Sequence, residues 1–266
     1  MQKENESFWK ELSKTNPISI IAFYLLTYLF GTLIISILVA LTIGAKHGLA
    51  IEESFRISMS KLETIDKANL NIYYELQAYT NLFSYLLMFI IVGFIGRKYL
   101  IDDIKIFKNY KTVLLMILSA VIFTLINFGL SNLSTLIVSK ISNSETSANE
   151  QLIQSMVKSG NQIPVAISVI LFAPLTEELV YRASIFSLSD KLKPIFRILI
   201  SGLIFSLPHM ISSIGYNFGA FMVLELVYFA AGVLLATIYY IFNKNIYAST
   251  MAHMFSNAFA FIMMSI

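Results

Sequence analysis

The sequence of 266 residues contains no cysteine, and only 13% of its residues are charged. The first absence excludes disulfides, thiol nucleophiles and thiolate metal sites. The charged fraction is also well below the roughly 25% of average soluble domains. The net charge is only +3 and is spread over short segments, so the sequence offers no long basic surface for phosphate groups. We therefore expect no nucleic-acid partner.

Apolar residues are abundant instead, at 57% of the chain. A membrane-spanning helix needs about 20 largely apolar residues. Seven stretches meet this requirement, at approximately 18–43, 78–96, 112–138, 163–187, 196–213, 217–242 and 246–266. The sequence therefore predicts an all-α fold, a polytopic transmembrane helical bundle of about seven spans in contact with membrane lipid.

The two parts of the chain differ in what they carry. Residues 1–160 contain about three spans and amphipathic connecting segments without a motif, whereas residues 161–266 contain about four spans and several polar motifs. The pattern of apolar and polar residues in 44–77 predicts an amphipathic surface helix. The pattern in 141–162 predicts a capped connecting helix. We predict an N-terminal membrane region and a C-terminal core.

The distribution of lysine and arginine predicts the orientation. With the N-terminus inside, twelve of the 19 basic residues fall in cytoplasmic segments and six in outside segments, four of these in one long loop. Because cytoplasmic loops carry an excess of Lys and Arg, this favours a cytoplasmic N-terminus. We expect a multi-pass integral protein of a bacterial plasma membrane.

Three polar clusters interrupt the apolar C-terminal spans: Glu177, Glu178 and Arg182 in the fourth, Phe205 and His209 in the fifth, and His253 and Asn257 in the seventh. Ionisable groups at membrane depth are costly, so they usually face a cavity and serve a function. At about 1.5 Å rise per residue, all three clusters reach similar depths and can converge near mid-membrane. Glu178 and Arg182 have the i, i+4 spacing of a helical ion pair, which leaves Glu177 directed elsewhere.

Two kinds of chemistry fit such a constellation. A carboxylate and an imidazole can activate water, while a second imidazole and an amide donate hydrogen bonds to an oxyanion. Alternatively, Glu177, His209 and His253 can bind a divalent metal such as zinc, which lowers the pKa of a bound water. Both lead to hydrolysis of an acyl bond, most simply a peptide bond. The sequence has no nucleophile-elbow serine and no His-Glu-x-x-His motif.

The three clusters also carry a family resemblance. Glu-Glu-x-x-x-Arg at 177–182, Phe-x-x-x-His at 205–209 and His-x-x-x-Asn at 253–257, in this order on late membrane helices, resemble the CAAX-protease and bacteriocin-processing family. This family of intramembrane proteases is also called Abi or CPBP. The resemblance covers about residues 170–260. Tyr181 and Ala183 depart from the phenylalanine and glycine that are common in the family.

The resemblance implies a role for each motif residue. Glu177 would activate water with the assistance of His209, and Glu178 and Arg182 would form a supporting ion pair. His253 and Asn257 would stabilise the oxyanion, or His253 would share a metal with Glu177 and His209. The resemblance leaves metal dependence open. No cofactor is therefore assigned, and a divalent metal such as zinc stays the alternative. The implied partner is a peptide or protein substrate whose tail enters the membrane cavity.

Two other functions compete with an endopeptidase. A catalytically inactive membrane scaffold or regulator, such as a sensor-kinase partner or an immunity protein, can keep the same motifs. A small transporter would need polar residues in paired, repeat-related spans. The polar motifs occupy only the C-terminal half, so the transporter ranks last.

Overall fold

A computed structural model describes residues 16–60, 62–142, 146–188, 191–211 and 217–265. These residues form ten helices and no strand. The helices are α1 (Pro17–Lys46), α2 (Ile51–Met59), α3 (Lys67–Ile95), α4 (Arg97–Asp103), α5 (Tyr110–Ile141), α6 (Ala148–Lys158), α7 (Gln162–Leu188), α8 (Pro194–Ile211), α9 (Phe218–Ile241) and α10 (Ile246–Ser265).

Short polar side chains fix where several helices begin. Asn16 precedes Pro17 and accepts a hydrogen bond from the Ile18 amide, and Asn109 accepts from the amides of the first turn of α5. Such caps satisfy amides that have no partner within the helix. The start of α10 is fixed from outside, because the Ile246 amide donates to the Asp103 carboxylate at 2.7 Å. This contact sets the depth of the residues further along α10.

The predicted all-α membrane bundle is confirmed. Among the described residues, α1, α3, α5, α7 and α9 are long and apolar enough to cross a membrane. The shorter α8 and the more polar α10 pack among them and correspond to the fifth and seventh predicted spans. The protein is therefore a multi-pass integral membrane protein.

The second span begins earlier than predicted, at Lys67 instead of residue 78. Glu75 lies in this added part of α3 and bonds to both Lys46 and His47 at the end of α1, with the His47 Nε2 at 2.7 Å. These polar contacts stabilise helical residues that lack the apolar character of a span. Sequence hydropathy alone therefore placed the helix start too late.

Each amphipathic segment contains one short helix, α2 within the predicted surface segment 44–77, whose last residues belong to α3, and α6 within the predicted connecting segment 141–162. Within 44–77, α2 packs its apolar side on α1 and α3 through the buried Ile57. Within 141–162, Ser147 caps α6 by accepting from the Glu150 amide, and Gly160 ends it with a φ of 91°. The left-handed backbone there is one that glycine adopts without a steric penalty.

Helix α7 lies at the centre of the bundle. In an apolar stretch of 18 residues within this helix, 56% of the residues are buried, compared with 22–33% in the other four long spans. Residues 179–186 of α7 contact side chains of α1, α3, α8, α9 and α10 in one core. A polar group on α7 is therefore enclosed by protein on most sides, away from lipid.

Two wide-turn π-helical segments flank the polar pair of α7. They cover Ile167–Phe172 and Leu179–Ile185, with a single α-helical segment, Ala173–Glu178, between them. Wide turns of this kind, which α1 also contains at Thr27–Gly31, interrupt α-helices frequently at functional sites. They change the direction in which the following side chains point relative to those of the preceding turns.

Candidate active site

A cavity of about 400 Å³ lies between α3, α5, α6, α7, α8, α9 and α10. Four predicted site residues from three helices line it: Glu177, His209, His253 and Asn257. Glu178 and Arg182 lie behind this wall and are fully buried. The three sequence clusters therefore do converge, as their depths predicted.

Glu177 faces the cavity with only 5% of its surface exposed. Its Oε1 accepts a hydrogen bond of 3.1 Å from the Tyr85 hydroxyl of α3. Its Oε2 lies 3.8 Å from the Nε2 of His253 on α10. The carboxylate is thus oriented by a hydroxyl on one side and an imidazole on the other, while remaining next to open space.

Glu178 has a different environment from its neighbour. Its Oε2 lies 3.0 Å from the Arg182 Nε, which confirms the predicted ion pair one helical turn apart. Its Oε1 lies 3.1 Å from the His253 Nδ1. A carboxylate only accepts hydrogen bonds, so Nδ1 is the donor and the opposite nitrogen, Nε2, faces Glu177. One imidazole therefore connects the two adjacent glutamates.

Arg182 is held by α8. Its Nη1 donates to the Ser201 Oγ at 2.9 Å, and its guanidinium lies 5.0 Å from the centre of the Phe205 ring. The Ser201 hydroxyl in turn donates to the Tyr181 carbonyl oxygen at 2.8 Å. Phe205 of the second motif thus supports the ion pair of the first through a cation–π contact.

His209 is positioned by two aromatic neighbours. Its ring packs on Phe205 one turn before it and stacks on Tyr228 of α9, with ring centres 4.7 Å apart. Its Nδ1 lies 3.1 Å from the Phe205 carbonyl oxygen, which accepts, so Nδ1 is the donor. The Tyr228 hydroxyl lies 2.8 Å from the Ser147 Oγ at the start of α6. This stack connects α6 to the catalytic candidates.

Asn257 lines the cavity and also joins two helices. Its Nδ2 donates to the Val169 carbonyl oxygen at 2.8 Å, in the first wide-turn segment of α7. An amide nitrogen has two hydrogens, so one donor is used in this contact. A role in stabilising an oxyanion stays a prediction for Asn257, as it does for His253.

A metal centre fits the described side chains poorly. They include no group of three or more histidine and carboxylate side chains close enough to hold an ion. The Glu177 Oε2 and the His253 Nε2 lie 3.8 Å apart, and the Nδ1 contacts of His253 and His209 leave Nε2 of each ring as the nitrogen that could bind an ion. The three metal-ligand candidates thus line the same cavity without forming a metal-binding group.

Sequence reasoning missed three residues that organise the site: Tyr85, Ser201 and Tyr228. Tyr85 comes from the N-terminal region, in which no motif was recognised, and it is one of 14 tyrosines. No local signal distinguishes it from the others. Both predicted regions contribute to the cavity, and the boundary at residue 160 stays a prediction.

The cavity continues past the catalytic candidates toward α6. This end is lined by polar side chains, among them Glu150 and Asn149 of α6 and Asn81 of α3. Burial raises the pKa of the Glu150 carboxyl above its ordinary value. The cavity lining therefore includes polar groups beyond the predicted catalytic set.

Comparison with known proteins gives one match. Residues 159–259 match the family model described as Type II CAAX prenyl endopeptidase Rce1-like, which confirms the predicted resemblance to CAAX proteases. No curated protein and no solved structure matches the chain. The matched segment runs from the end of α6 into α10 and includes all three motifs.

Proposed function

We propose that this protein is an intramembrane endopeptidase that hydrolyses a peptide bond with Glu177-activated water, because residues 159–259 match the Rce1-like model of type II CAAX prenyl endopeptidases. The observation that carries the proposal is the convergence of Glu177, His209, His253 and Asn257 on one cavity at membrane depth. Its substrate is a peptide or protein tail that enters this cavity. Prenylated tails are one class to test, because the family is described by them.

Glu177 is the general base of the proposed reaction, and His209 assists it in activating the water. The carboxylate takes a proton from water as the water oxygen attacks the carbonyl carbon of the scissile bond. The C–N bond then breaks, and the proton passes to the leaving amine nitrogen. Tyr85 supports this role because its hydroxyl fixes one oxygen of the carboxylate and leaves the other toward His253.

His253 and Asn257 are the proposed donors to the oxyanion. Glu178 accepts from the Nδ1 of His253, which directs Nε2 toward Glu177. In the doubly protonated form, Nε2 also carries a hydrogen and can donate to negative charge on the substrate oxygen. Glu178 and Arg182 act by positioning His253. Because the metal fit is poor, no step of the proposal uses an ion.

The test compares two glutamate variants in an assay of purified protein in liposomes. Glu177→Gln keeps the shape of the side chain and removes the base, so we expect cleavage of prenylated and unprenylated fluorogenic tail peptides to fall at least 100-fold. Glu225→Gln is the matched control, because Glu225 is another intramembrane carboxylate. It accepts a hydrogen bond from the Ser206 hydroxyl and does not line the cavity. Each protein is assayed with and without EDTA, and we expect EDTA to leave the cleavage rate unchanged.

Several outcomes would contradict the proposal. Retained cleavage by the Glu177→Gln variant would remove this residue from the chemistry. Loss of cleavage with EDTA, restored by zinc, would establish the metal-bound alternative. If the wild type cleaves no peptide, and the Glu177→Gln variant keeps its biological function, the inactive regulator becomes the better explanation.

The proposed location is the plasma membrane of a bacterium, with the N-terminus in the cytoplasm. The excess of Lys and Arg in the alternate connecting segments supports this orientation. In that orientation α6 and the polar end of the cavity near it face the outside. A substrate would then reach the polar end from that side.

A further inference from the structure

The α6 end of the cavity is polar without belonging to the catalytic set. Its wall combines Glu150 and Asn149 of α6 with Asn81 of α3 and Ser131 and Ser134 of α5. These residues come from three different helices, and the proposed chemistry uses none of them. Polar groups that converge in a largely apolar cavity are what fixes a ligand's orientation and gives specificity.

Apart from the histidines, the charged side chains that line this cavity are carboxylates. Its lining contains the carboxylates of Glu177 and Glu150, two histidines and, among the described residues, no lysine or arginine. Glu150 is partly buried and forms no ion pair with any residue in the described ranges. Burial is accordingly the sole cause of its raised pKa. A carboxylate in this position is complementary to a cation that none of the described residues supplies.

The position of Glu150 is fixed by its helix. The Glu150 amide donates to the Ser147 Oγ at 3.2 Å, and the same hydroxyl contacts Tyr228, which stacks on His209. A glutamate three residues after a capping serine can also serve as a helix cap. That purely structural role would be preserved by glutamine, which separates it experimentally from a role that needs charge.

We propose that Glu150, with Asn149 and Asn81, forms a subsite for a cationic group of the substrate, either a lysine or arginine side chain or a free amino terminus. The subsite rests on the proposed function, since its ligand is the peptide whose scissile bond lies at Glu177. Attraction between the cation and Glu150 is strengthened by the partly buried setting, because water screens it less there. The amide and hydroxyl oxygens nearby complete the hydrogen bonding of an ammonium or guanidinium group.

The experiment uses internally quenched peptides with an apolar centre that differ by one residue. Each set carries lysine, arginine or glutamine at successive positions on either side of the centre, with the amino terminus free or acetylated. For the wild type we expect kcat/KM to be about ten-fold or more higher when one position is cationic. Acetylation removes the effect only if the amino terminus is the bound group.

Variants then assign the preference to Glu150. Glu150→Gln is expected to cleave the uncharged peptides as the wild type does and to lose the preference for the cationic ones. Glu53→Gln is the control, because Glu53 lies on the other amphipathic helix, α2, and does not line the cavity. Equal kcat/KM for cationic and uncharged peptides in the wild type would overturn the subsite.

Binding measurements keep this test separate from the test of catalysis. The same peptides are titrated into the Glu177→Gln protein and into Glu177→Gln with Glu150→Gln, and binding is followed by fluorescence anisotropy. Tighter binding of cationic peptides to the first protein alone supports the subsite, even if the wild type cleaves nothing. Absence of any charge preference in binding overturns it, even if cleavage is robust. If the variant that carries Glu150→Gln fails to fold, the comparison of cationic with uncharged peptides on the Glu177→Gln protein still tests the subsite.

Discussion

At the scale of single residues, the informative feature is that two adjacent glutamates have different surroundings. Glu178 is enclosed by Arg182 and the Nδ1 of His253, whereas Glu177 meets Tyr85, the Nε2 of His253 and the cavity. Adjacent carboxyl groups in unlike environments are a common way to divide supporting and reactive roles. Both residues are glutamates, so their different neighbours, and not the residue type, distinguish Glu177 from Glu178.

Removal of the Tyr85 hydroxyl should slow the reaction without loosening the fold. In Tyr85→Phe, the Glu177 carboxylate loses its only hydroxyl donor seen among the described contacts, so we expect kcat to fall about ten-fold or more. Tyr79→Phe is the control, since Tyr79 lies on the same helix and outside the cavity lining. Steady-state kinetics and thermal unfolding of both variants check this, and an unchanged kcat for Tyr85→Phe would contradict it.

The buried ion pair should show strong energetic coupling. Glu178→Gln or Arg182→Met alone leaves one fully buried charge without its partner, at a cost of about 3–5 kcal/mol in unfolding free energy. The double variant should cost clearly less than the sum of the two single variants. Unfolding of the four proteins in the same detergent measures this coupling. Additive losses would show that the pair does not act as a unit.

At the scale of helices, the site depends on how α7 is wound and on how closely α8 and α9 approach it. Glu177 and Glu178 lie on the α-helical segment between the two wide-turn segments of α7, where Glu177 faces the cavity and Glu178 faces Arg182. Helices α8 and α9 cross at Gly202 and Gly232, where a side chain on either glycine would meet the other helix's backbone. Small residues at such crossings allow membrane helices to pack backbone to backbone. This close approach brings His209 against Tyr228.

Alanine at the α8–α9 crossing should therefore be harmful. A Cβ atom on residue 202 would lie 2.9 Å from the Val233 backbone nitrogen, so Gly202→Ala must push the helices apart. We expect a lower unfolding temperature and reduced cleavage. Gly129→Ala in α5 is the matched control, because nothing lies within 4 Å of the added atom and alanine favours the helix by about 1 kcal/mol. Equal stability of the two variants would contradict this packing.

At the scale of the whole molecule, the cavity combines both regions of the chain. Tyr85, Asn81 and Glu150 come from residues 1–160, and the motifs come from residues 161–266. The N-terminal region therefore supplies part of the site as well as membrane spans. Its amphipathic helix α6 lines the same cavity through Asn149 and Glu150.

The orientation can be measured because the natural chain has no cysteine. Single cysteines are introduced at Lys158, exposed at the end of α6, and at Lys105, exposed after α4. With the N-terminus inside, an impermeant maleimide should label Lys158→Cys in intact cells and Lys105→Cys only after permeabilisation. The reverse pattern would invert the proposed orientation and the side from which substrate enters.

Local properties of the sequence predicted much of the fold and the core of the site. Apolar runs near 20 residues predicted the spans, and the spacing of Glu178 and Arg182 predicted their ion pair. The cost of polar groups in a membrane predicted that Glu177, His209 and His253 would meet at a cavity. The start of α3 was missed, because a contact of Glu75 with the end of α1 determines it.

The sequence by itself therefore determined a multi-pass helical membrane protein with three motifs at a common depth, since hydropathy and helical spacing are properties of neighbouring residues. Only the tertiary structure decided that His253 connects Glu177 with Glu178, that Tyr85 orients the Glu177 carboxylate, and that Glu150 lines the same cavity. These contacts depend on how helices far apart in the chain rotate and pack. The wide turns of α7 add a local irregularity that a regular helical period does not reveal.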